Sequence, residues 1–309
     1  MTQQHPQSIS LEEAADTMGQ ATVRRSFRAD LMRVFSDLWQ YRELLYQLTW
    51  RDIRVRYKQA FMGFGWAVFM PACIVLSGIL VKYAMAHVAG RDIETGSITG
   101  MVVKALPWAF FVGTINTATS SLTGNMNLVM KIYFPRAILP LSSALAQAFD
   151  SLIGSTILLI ALMCLSINLS FTLVWAPVLG VLLFFYTAAM ALCLSCANLF
   201  FRDVRYIVQV LLMFGIFFTP VFFEPAMFGK IGAQIMMLNP IAPLLEGFRL
   251  SFVEGHNLLT FLYAHNVAGQ DILLWSPWYL LYSVCWAVGG FLGVAVAFHR
   301  LQFLFAEYI

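Results

Sequence analysis

The amino-acid sequence predicts an all-α integral membrane protein with six transmembrane helices. An amphipathic helix precedes them, and short re-entrant helices lie between the fifth and the sixth. Composition supports the membrane class, since 60% of the 309 residues are hydrophobic and only 11% are charged, against about 25% in a soluble domain. The apolar runs are long and continuous, as helices that need ~20 residues to cross a bilayer require. Spanning strands would give short alternating segments instead.

The N-terminal region is polar at first and then amphipathic. Residues 1–30 lack the apolar core of a secretory signal peptide and are interpreted as a flexible cytoplasmic tail. Residues 31–58 carry apolar side chains at helical spacing, which predicts a helix lying along the membrane surface. An ordinary helix packed on another part of the protein is the alternative. The apolar positions are Leu31, Val34, Phe35, Leu38, Tyr41, Leu45 and Leu48.

Six apolar runs, separated by prolines and short polar turns, are predicted to be the spans. They cover residues 60–87, 105–125, 138–167, 172–199, 206–224 and 275–299. Most of the 19 Lys and Arg residues fall on the side of the N-terminus. The positive-inside rule therefore places both termini in the cytoplasm.

The segment between the fifth and sixth spans is too long for a turn and too apolar for a solvent loop. Residues 225–274 contain two apolar stretches that are split by Asn239 and Pro240. Stretches of 10–14 apolar residues are typical of re-entrant or interfacial segments. Such backbone is tolerated at membrane depth where protein or a water-filled cavity covers it. The sequence therefore predicts a plug or gate on the outer side.

Motifs for the chain's own catalysis are missing from the sequence. It has no phosphate-binding G-x-x-x-x-G-K-[ST] loop, no H-E-x-x-H and no G-x-S-x-G. Cys193 and Cys196 form a C-x-x-C, which could indicate a metal or redox site, but the favoured interpretation is small apolar side chains packed between helices. Asp150 is the only acid well inside a predicted span, and it either lines a pathway or pairs with a neighbour.

Polar and aromatic side chains along the spans are candidates for lining a pore. Residues 114–125 are rich in Thr, Ser and Asn, which hydrogen-bond either sugar hydroxyls or neighbouring helices. Aromatic rings stack on the C–H faces of sugars, but they also form membrane-interface belts and cores. The candidates are Phe61, Phe64, Trp66, Phe69, Thr117, Ser121, Phe214, Phe217 and Phe218.

The segment that joins the second and third spans combines cations with aromatic residues. Lys131 and Arg136 flank an aromatic pair, Tyr133 and Phe134, which is expected to be exposed. A short amphipathic element with an aromatic side chain suits docking into a pocket of a soluble partner. A plain membrane-surface loop is the alternative.

Four segments, taken in order and spacing, resemble a known family. They are YKQAFMGFGWAVFMP at 57–71, NLVMKIYFPRAILPLS at 127–142, NLFFRDVRYIVQVLLMFGIFFTPVFF at 198–223 and LNPIAPLLEGFR at 238–249. Together they are similar to the ABC-2 type permeases that export polysaccharides, across about residues 31–300. The O-antigen and lipopolysaccharide exporter permeases resemble this chain most, with the teichoic-acid exporters next.

The resemblance implies a role for each of these segments. The segment 31–58 looks like the family's interface helix, which touches the ATPase, and 225–260 look like paired periplasmic gate helices. Residues 126–136 look like the coupling helix that sits in a cleft of the ATPase. The implied coupling residues are Asn127, Lys131, Tyr133, Phe134, Pro135 and Arg136.

The resemblance also implies an assembly, a substrate and a location. The permease would be a homodimer in the bacterial inner membrane, bound to two copies of an ATPase subunit. That subunit would hold ATP and Mg, so this chain would bind no cofactor of its own, and no nucleic acid is expected. The substrate would be a glycan chain attached to a lipid pyrophosphate.

Four cations just before the first span are candidates for meeting that pyrophosphate. Arg51, Arg54, Arg56 and Lys58 would lie where anionic head groups approach, and each cation near such a surface contributes ~1 kcal/mol. Simple determination of topology explains the same residues without a ligand.

Two other functions remain open at this point. The same scaffold would serve an exporter of drugs or of other lipids. A membrane enzyme acting on polyprenyl-linked sugars would need a catalytic cluster, for which Asp52, Asp150 and Asp203 are the nearby acids.

Overall fold

The computed structural model describes residues 27–58, 63–89, 95–164, 171–265, 271–302 and 305. Within them the chain is a helical bundle with one two-stranded hairpin. Five of the described helical segments are long and apolar enough to cross a membrane, which confirms an integral membrane protein built from helices. These segments are Val68–Val88, Gly96–Thr119, Ile138–Ile160, Phe171–Phe200 and Pro277–Leu301.

Two helices, α1 (Phe27–Gln40) and α2 (Arg42–Tyr57), occupy the region where one amphipathic helix was expected over residues 31–58. The break is at Tyr41, whose φ of −97° and ψ of 19° leave the helical region. The first helix also begins four residues earlier than expected. The tail before it lies outside the described residues.

The apolar stripe of α1 and α2 packs against the rest of the chain. Val34 and Leu48 are buried, and Leu38, Tyr41 and Leu45 pack beside them. The opposite face exposes further large apolar side chains, which suits a helix pair at a membrane surface. They include Met32, Trp39, Tyr46, Trp50 and Val55. Phe35 was expected in the apolar stripe, but 49% of it is exposed, so the prediction is wrong for this residue.

The remaining helices follow in chain order. They are α3 (Trp66–Ala89), α4 (Thr95–Thr119), α5 (Ser121–Gly124), α6 (Met126–Lys131), α7 (Ile138–Cys164), α8 (Trp175–Phe200), α9 (Val204–Gly215), α10 (Gly229–Met237), α11 (Ala242–Phe252), α12 (Pro277–Val284) and α13 (Gly290–Leu301). Short 3-10 turns cover Gly63–Gly65, Phe171–Val174 and Pro225–Phe228.

Helix α4 begins ten residues before the expected start of the second span. The expected span began at residue 105, directly after Lys104, and a lone cation inside a bilayer is costly. In the structure Lys104 is buried, with 1% of its side chain exposed, and it faces Glu246 from a distant part of the chain. A partner remote in sequence therefore makes the cation tolerable inside the helix.

Helix α9 is shorter than the span expected over residues 206–224. Its 12 residues extend only ~18 Å, against a hydrocarbon core of ~30 Å. Turns containing Pro220 replace the helix after Gly215, as far as Phe223. Proline lacks the N–H that a continuing helix would need.

The segment after these turns folds into α10 and α11, which lie on either side of the expected break at Asn239 and Pro240. Helix α11 is almost wholly buried against α4 and α8. The hairpin that follows was not expected from the sequence. Its strands, β1 (Leu262–His265) and β2 (Asp271–Trp275), pair antiparallel. Trp275 fixes the hairpin to the bundle because its buried Nε1–H donates to the Leu258 carbonyl at 2.8 Å.

The last membrane-crossing segment is interrupted by a π-helical turn over Cys285–Gly289, between α12 and α13. Helix α12 contacts the end of α10, where the Tyr282 hydroxyl donates to the Leu238 carbonyl at 2.6 Å. The α13 side holds α1, since Arg300 pairs with the buried carboxylate of Asp30 at 2.7 Å. One segment thus ties both ends of the bundle together.

Candidate functional site

A cavity of about 760 Å³ opens between α3, α4, α7 and α9 and reaches the end of α2. Its volume lies within the ~300–1,000 Å³ of small-molecule sites. Trp66 and Trp108 supply aromatic surface, and Gln147 and Gln209 supply amides. Most of the remaining lining is apolar. Such a wall suits a ligand with both apolar faces and hydrogen-bonding groups.

A cluster of polar side chains lies where α2 meets α7 at the wall of this cavity. Arg56 forms an ion pair with Asp150 and donates to the Gln147 side-chain oxygen at 2.9 Å. The Tyr57 hydroxyl donates to the other Asp150 oxygen at 2.5 Å. Burial raises the pKa of Tyr57, and the bond to Asp150 raises it further, so the phenol stays a proton donor. The structure thus answers the question about Asp150, which pairs with a neighbour and lines the cavity.

Close helix approach at Gly113 shapes the same wall. A Cβ added at Gly113 would lie 2.7 Å from the Gln147 side-chain carbon. Only a glycine therefore lets the Gln147 amide lie in this position beside Arg56. The sequence offered no sign of this contact, because Gly113 and Gln147 lie in different predicted spans.

The four cations expected to meet a pyrophosphate occupy different surroundings. Arg51 pairs with Asp52 at 2.8 Å, and Arg56 pairs with Asp150. The guanidinium of Arg54 lies 5.3 Å from the centre of the Trp50 ring, on an exposed face, and Lys58 is also exposed. Of the four, Arg56 alone is among the residues that line the cavity.

The expected pore-lining residues also separate into groups. Trp66 and Thr117 line the cavity. Ser121 is buried and donates to the Ala118 carbonyl at 2.7 Å, so it belongs to the helix contacts. Phe61 lies outside the described residues, as does the side chain of Phe64. The other four are exposed apolar side chains, namely Phe69, Phe214, Phe217 and Phe218.

The segment between α4 and α7 exposes only one of the two expected aromatic rings. Tyr133 is 93% exposed, whereas Phe134 is 7% exposed and packs in an apolar cluster with Val129 and Ile138. The expectation of an exposed pair is therefore wrong for Phe134. The helix before them ends at Lys131, and Ile132 is extended, so Tyr133 and Phe134 do not continue the helix.

The other residues of this segment form one exposed surface and one anchor. Asn127, Lys131 and Tyr133 are exposed. Arg136, by contrast, donates to the Gln302 carbonyl at 2.8 Å and lies over the Phe305 ring. Pro135 is half-buried beside it. Arg136 and Phe134 thus hold the segment on the bundle while Tyr133 projects from it.

A buried ionic cluster, which sequence analysis missed, joins α4 to α11. Arg249 donates from Nε to the Glu246 carboxylate at 2.7 Å and from Nη1 to Glu254 at 2.6 Å, and Lys104 lies 3.6 Å from the second Glu246 oxygen. Burial alone would raise the pKa of Glu246, but the charges of Lys104 and Arg249 outweigh burial and hold the pKa below its ordinary value. The cluster fixes α11 to the bundle.

No group of three or more potential metal ligands occurs among the described residues. Cys193 is exposed and Cys196 is buried, and both thiols are free. Within the described part of the chain, the C-x-x-C motif thus has no further ligands beside it.

Comparisons with known proteins give a consistent result. The family model described as "ABC-2 type transporter" matches residues 43–253. A Klebsiella pneumoniae protein named "O-antigen export system permease protein RfbA" is 25% identical over 69% of this chain and 81% of its own length. A Myxococcus xanthus protein of the same name is 28% identical over 72% of this chain and 85% of its own. A second Klebsiella pneumoniae relative, also so named, is 24% identical over 86% of this chain and 94% of its own.

Proposed function

The chain belongs to the ABC-2 type transporter family, and on that premise we propose that it is the permease subunit of a polysaccharide exporter. The substrate is an O-antigen-like glycan on polyprenyl pyrophosphate, which crosses the inner membrane. The observation that carries this proposal is the similarity, over most of the chain, to three relatives whose names state O-antigen export. The cavity supports it, because aromatic rings and amides suit sugars.

The energy for transport comes from a separate ATPase subunit, which binds ATP and Mg. The permease acts as a homodimer with two such subunits, and the substrate path forms where the two copies meet. Exposed Asn127, Lys131 and Tyr133 make the main contact with the ATPase. Phe134 and Arg136 support that contact from behind, since both pack on the bundle. Movement of the ATPase then reaches the spans as a rigid-body change.

The chain crosses the membrane six times, with both termini in the cytoplasm. Helix α9 and the turns after it, as far as Phe223, complete the fifth crossing, and residues 219–222 of these turns are buried in the protein. The uneven distribution of Lys and Arg supports this orientation. Helices α10 and α11 serve as the periplasmic gate, and the ionic cluster of Lys104, Glu246 and Arg249 holds α11 against α4.

The test is to purify the chain together with the ATPase encoded beside its gene and to measure hydrolysis in reconstituted membranes. We expect a stable complex whose ATPase activity responds to polyprenyl-pyrophosphate glycan and not to drugs. A complex that responds only to drugs or phospholipids would support the assignment as a transporter but contradict polysaccharide as its substrate. Failure to bind any ATPase would remove the transporter assignment itself.

A further inference from the structure

We propose that Asp150 occupies the place of the substrate's phosphate before the substrate enters the cavity. Arg56 is held by Asp150 until a lipid-linked pyrophosphate arrives and takes over the guanidinium. The freed carboxylate then accepts hydrogen bonds from hydroxyls of the first sugar. This inference rests on the proposed function and names the residues that would recognise the junction between lipid and glycan.

The charges around the cavity support this exchange. Among the described residues that line it, Arg56 is the one cation and Asp150 the one acid. An anion that enters the cavity therefore finds a single cation to bind, and that cation already has an internal partner. A pyrophosphate and the Asp150 carboxylate must compete for it.

The atoms of Arg56 are placed for a change of partner. Its contacts with Asp150 and Gln147 both use Nη1, and 29% of its side chain is exposed. The Nε and Nη2 groups can therefore donate hydrogen bonds to an incoming acceptor before Nη1 breaks its contact with Asp150. The planar fork of arginine binds phosphate through two parallel hydrogen bonds, a geometry a single carboxylate contact does not use.

Asp150 keeps a donor when Arg56 leaves it. The Tyr57 hydroxyl remains bonded to one carboxylate oxygen, while the other becomes available. A carboxylate that is only 7% exposed must find a new donor, because an unpaired buried charge is costly. A sugar carries hydroxyl donors in every orientation, and the Gln147 and Asn116 amides lie in the same wall.

The cavity also has a suitable size for this junction. Its volume of about 760 Å³ fits a head group and the first sugars, as small-molecule sites do, and not a whole polymer. Trp66 and Trp108 lie in the same lining and can stack on a sugar face. The site would thus recognise the reducing end of the glycan.

The decisive variant is Asp150→Asn, which keeps the shape and the acceptor for Tyr57 but removes the competing charge. The full chain in nanodiscs would be titrated with a short-chain polyprenyl pyrophosphate and with the same lipid carrying one hexosamine. We expect the bare lipid to bind about tenfold tighter than to wild type, because an internal partner lowers apparent affinity. The extra affinity that the sugar confers should fall about tenfold. Unchanged or weaker binding of the bare lipid would overturn the proposal.

Two further variants separate binding from stability. Arg56→Gln should weaken both probes at least about tenfold, the value of one charge-assisted hydrogen bond. Arg202→Gln removes the same charge from an exposed loop outside the cavity and should change neither. The exchanged pair, Arg56→Asp with Asp150→Arg, should recover thermal stability but not binding. Full recovery of binding would show that the ion pair has only a structural role, and it would overturn the proposal.

Competing ligands identify the source of the phosphate. Inorganic pyrophosphate should compete weakly with the polyprenyl pyrophosphate, and nanodiscs rich in phosphatidylglycerol should not. Equal competition by phosphatidylglycerol would assign Arg56 to bulk lipid and would overturn the proposal. The proposed function fails separately, if hydrolysis by the complete complex does not respond to lipid-linked glycan. A responsive complex whose wild-type chain binds neither probe would retain the function and reject this site.

Discussion

Gly113 controls the position of the Gln147 amide, because the two helices touch there. In Gly113→Ala the new methyl group would lie 2.7–2.9 Å from the end of the Gln147 side chain, which must move away. Since that side chain is flexible at its tip, we expect little loss of thermal stability but a several-fold weaker binding of the lipid-linked sugar. Titration of the variant in nanodiscs measures this. Gly180→Ala is the control, since nothing lies within 4 Å of its added Cβ.

Tyr133 and Phe134 should respond differently to truncation although they are adjacent. Tyr133→Ala removes an exposed ring, so the chain should stay stable. The free energy of its interaction with the ATPase should weaken by about 2 kcal/mol, as for an interface hot spot, and export should fall with it. Phe134→Ala removes a buried ring and should lower the free energy of unfolding by about 3–5 kcal/mol. Thermal unfolding and ATP-driven export distinguish the two. Wild-type export in Tyr133→Ala would contradict the coupling role.

At the scale of elements, the ionic cluster between α4 and α11 should be the tie most sensitive to mutation. Glu246→Gln leaves Lys104 and Arg249 without their shared carboxylate, which should destabilise the fold by about 3–5 kcal/mol. Glu254→Gln breaks a contact of the same Arg249, but its side chain is 34% exposed, so the loss should be below about 1 kcal/mol. Thermal unfolding of both variants in nanodiscs measures the difference. Equal losses of stability in the two variants would show that the buried Glu246 carboxylate contributes no more than the partly exposed Glu254.

The same cluster gives a direction for the dependence on pH. Because the folded chain holds the pKa of Glu246 below its ordinary value of about 4.3, the carboxylate stabilises the fold above that pH. The stabilisation is lost as the pH falls through the lower pKa of the folded state. Glu246→Gln should therefore flatten the acid limb of a stability curve.

Several elements follow from the sequence, and others depend on contacts between distant residues. The third, fourth and sixth spans and the break at Asn239 and Pro240 match their expected places to within about three residues, since apolar run length and proline determine them locally. The predicted start of the second span was too late, because Glu246, the partner that makes Lys104 tolerable in the helix, lies about 140 residues further along the chain. Arg56 and Asp150 are 94 residues apart, so the periodicity of apolar residues gives no indication that they pair.

At the scale of the molecule, topology can be measured directly. Single cysteines at Tyr133→Cys and Phe171→Cys occupy positions that are more than nine-tenths exposed. The first lies in the segment between α4 and α7, and the second lies before α8. A membrane-impermeant maleimide added outside spheroplasts should label the second and not the first, with the parent chain as background. Labelling of both, or only of the first, would contradict the orientation.

Lys104 has a consequence for how the chain is made. Its carboxylate partner is synthesised about 140 residues later, which takes roughly 7–30 s at ~5–20 residues per second. During that interval the nascent α4 carries an unmatched ammonium inside the bilayer, where charge is expensive. We therefore expect integration of the second span to be completed only after α11 has been synthesised. A chain released before residue 246 would be left with a poorly seated helix that quality-control proteases can remove.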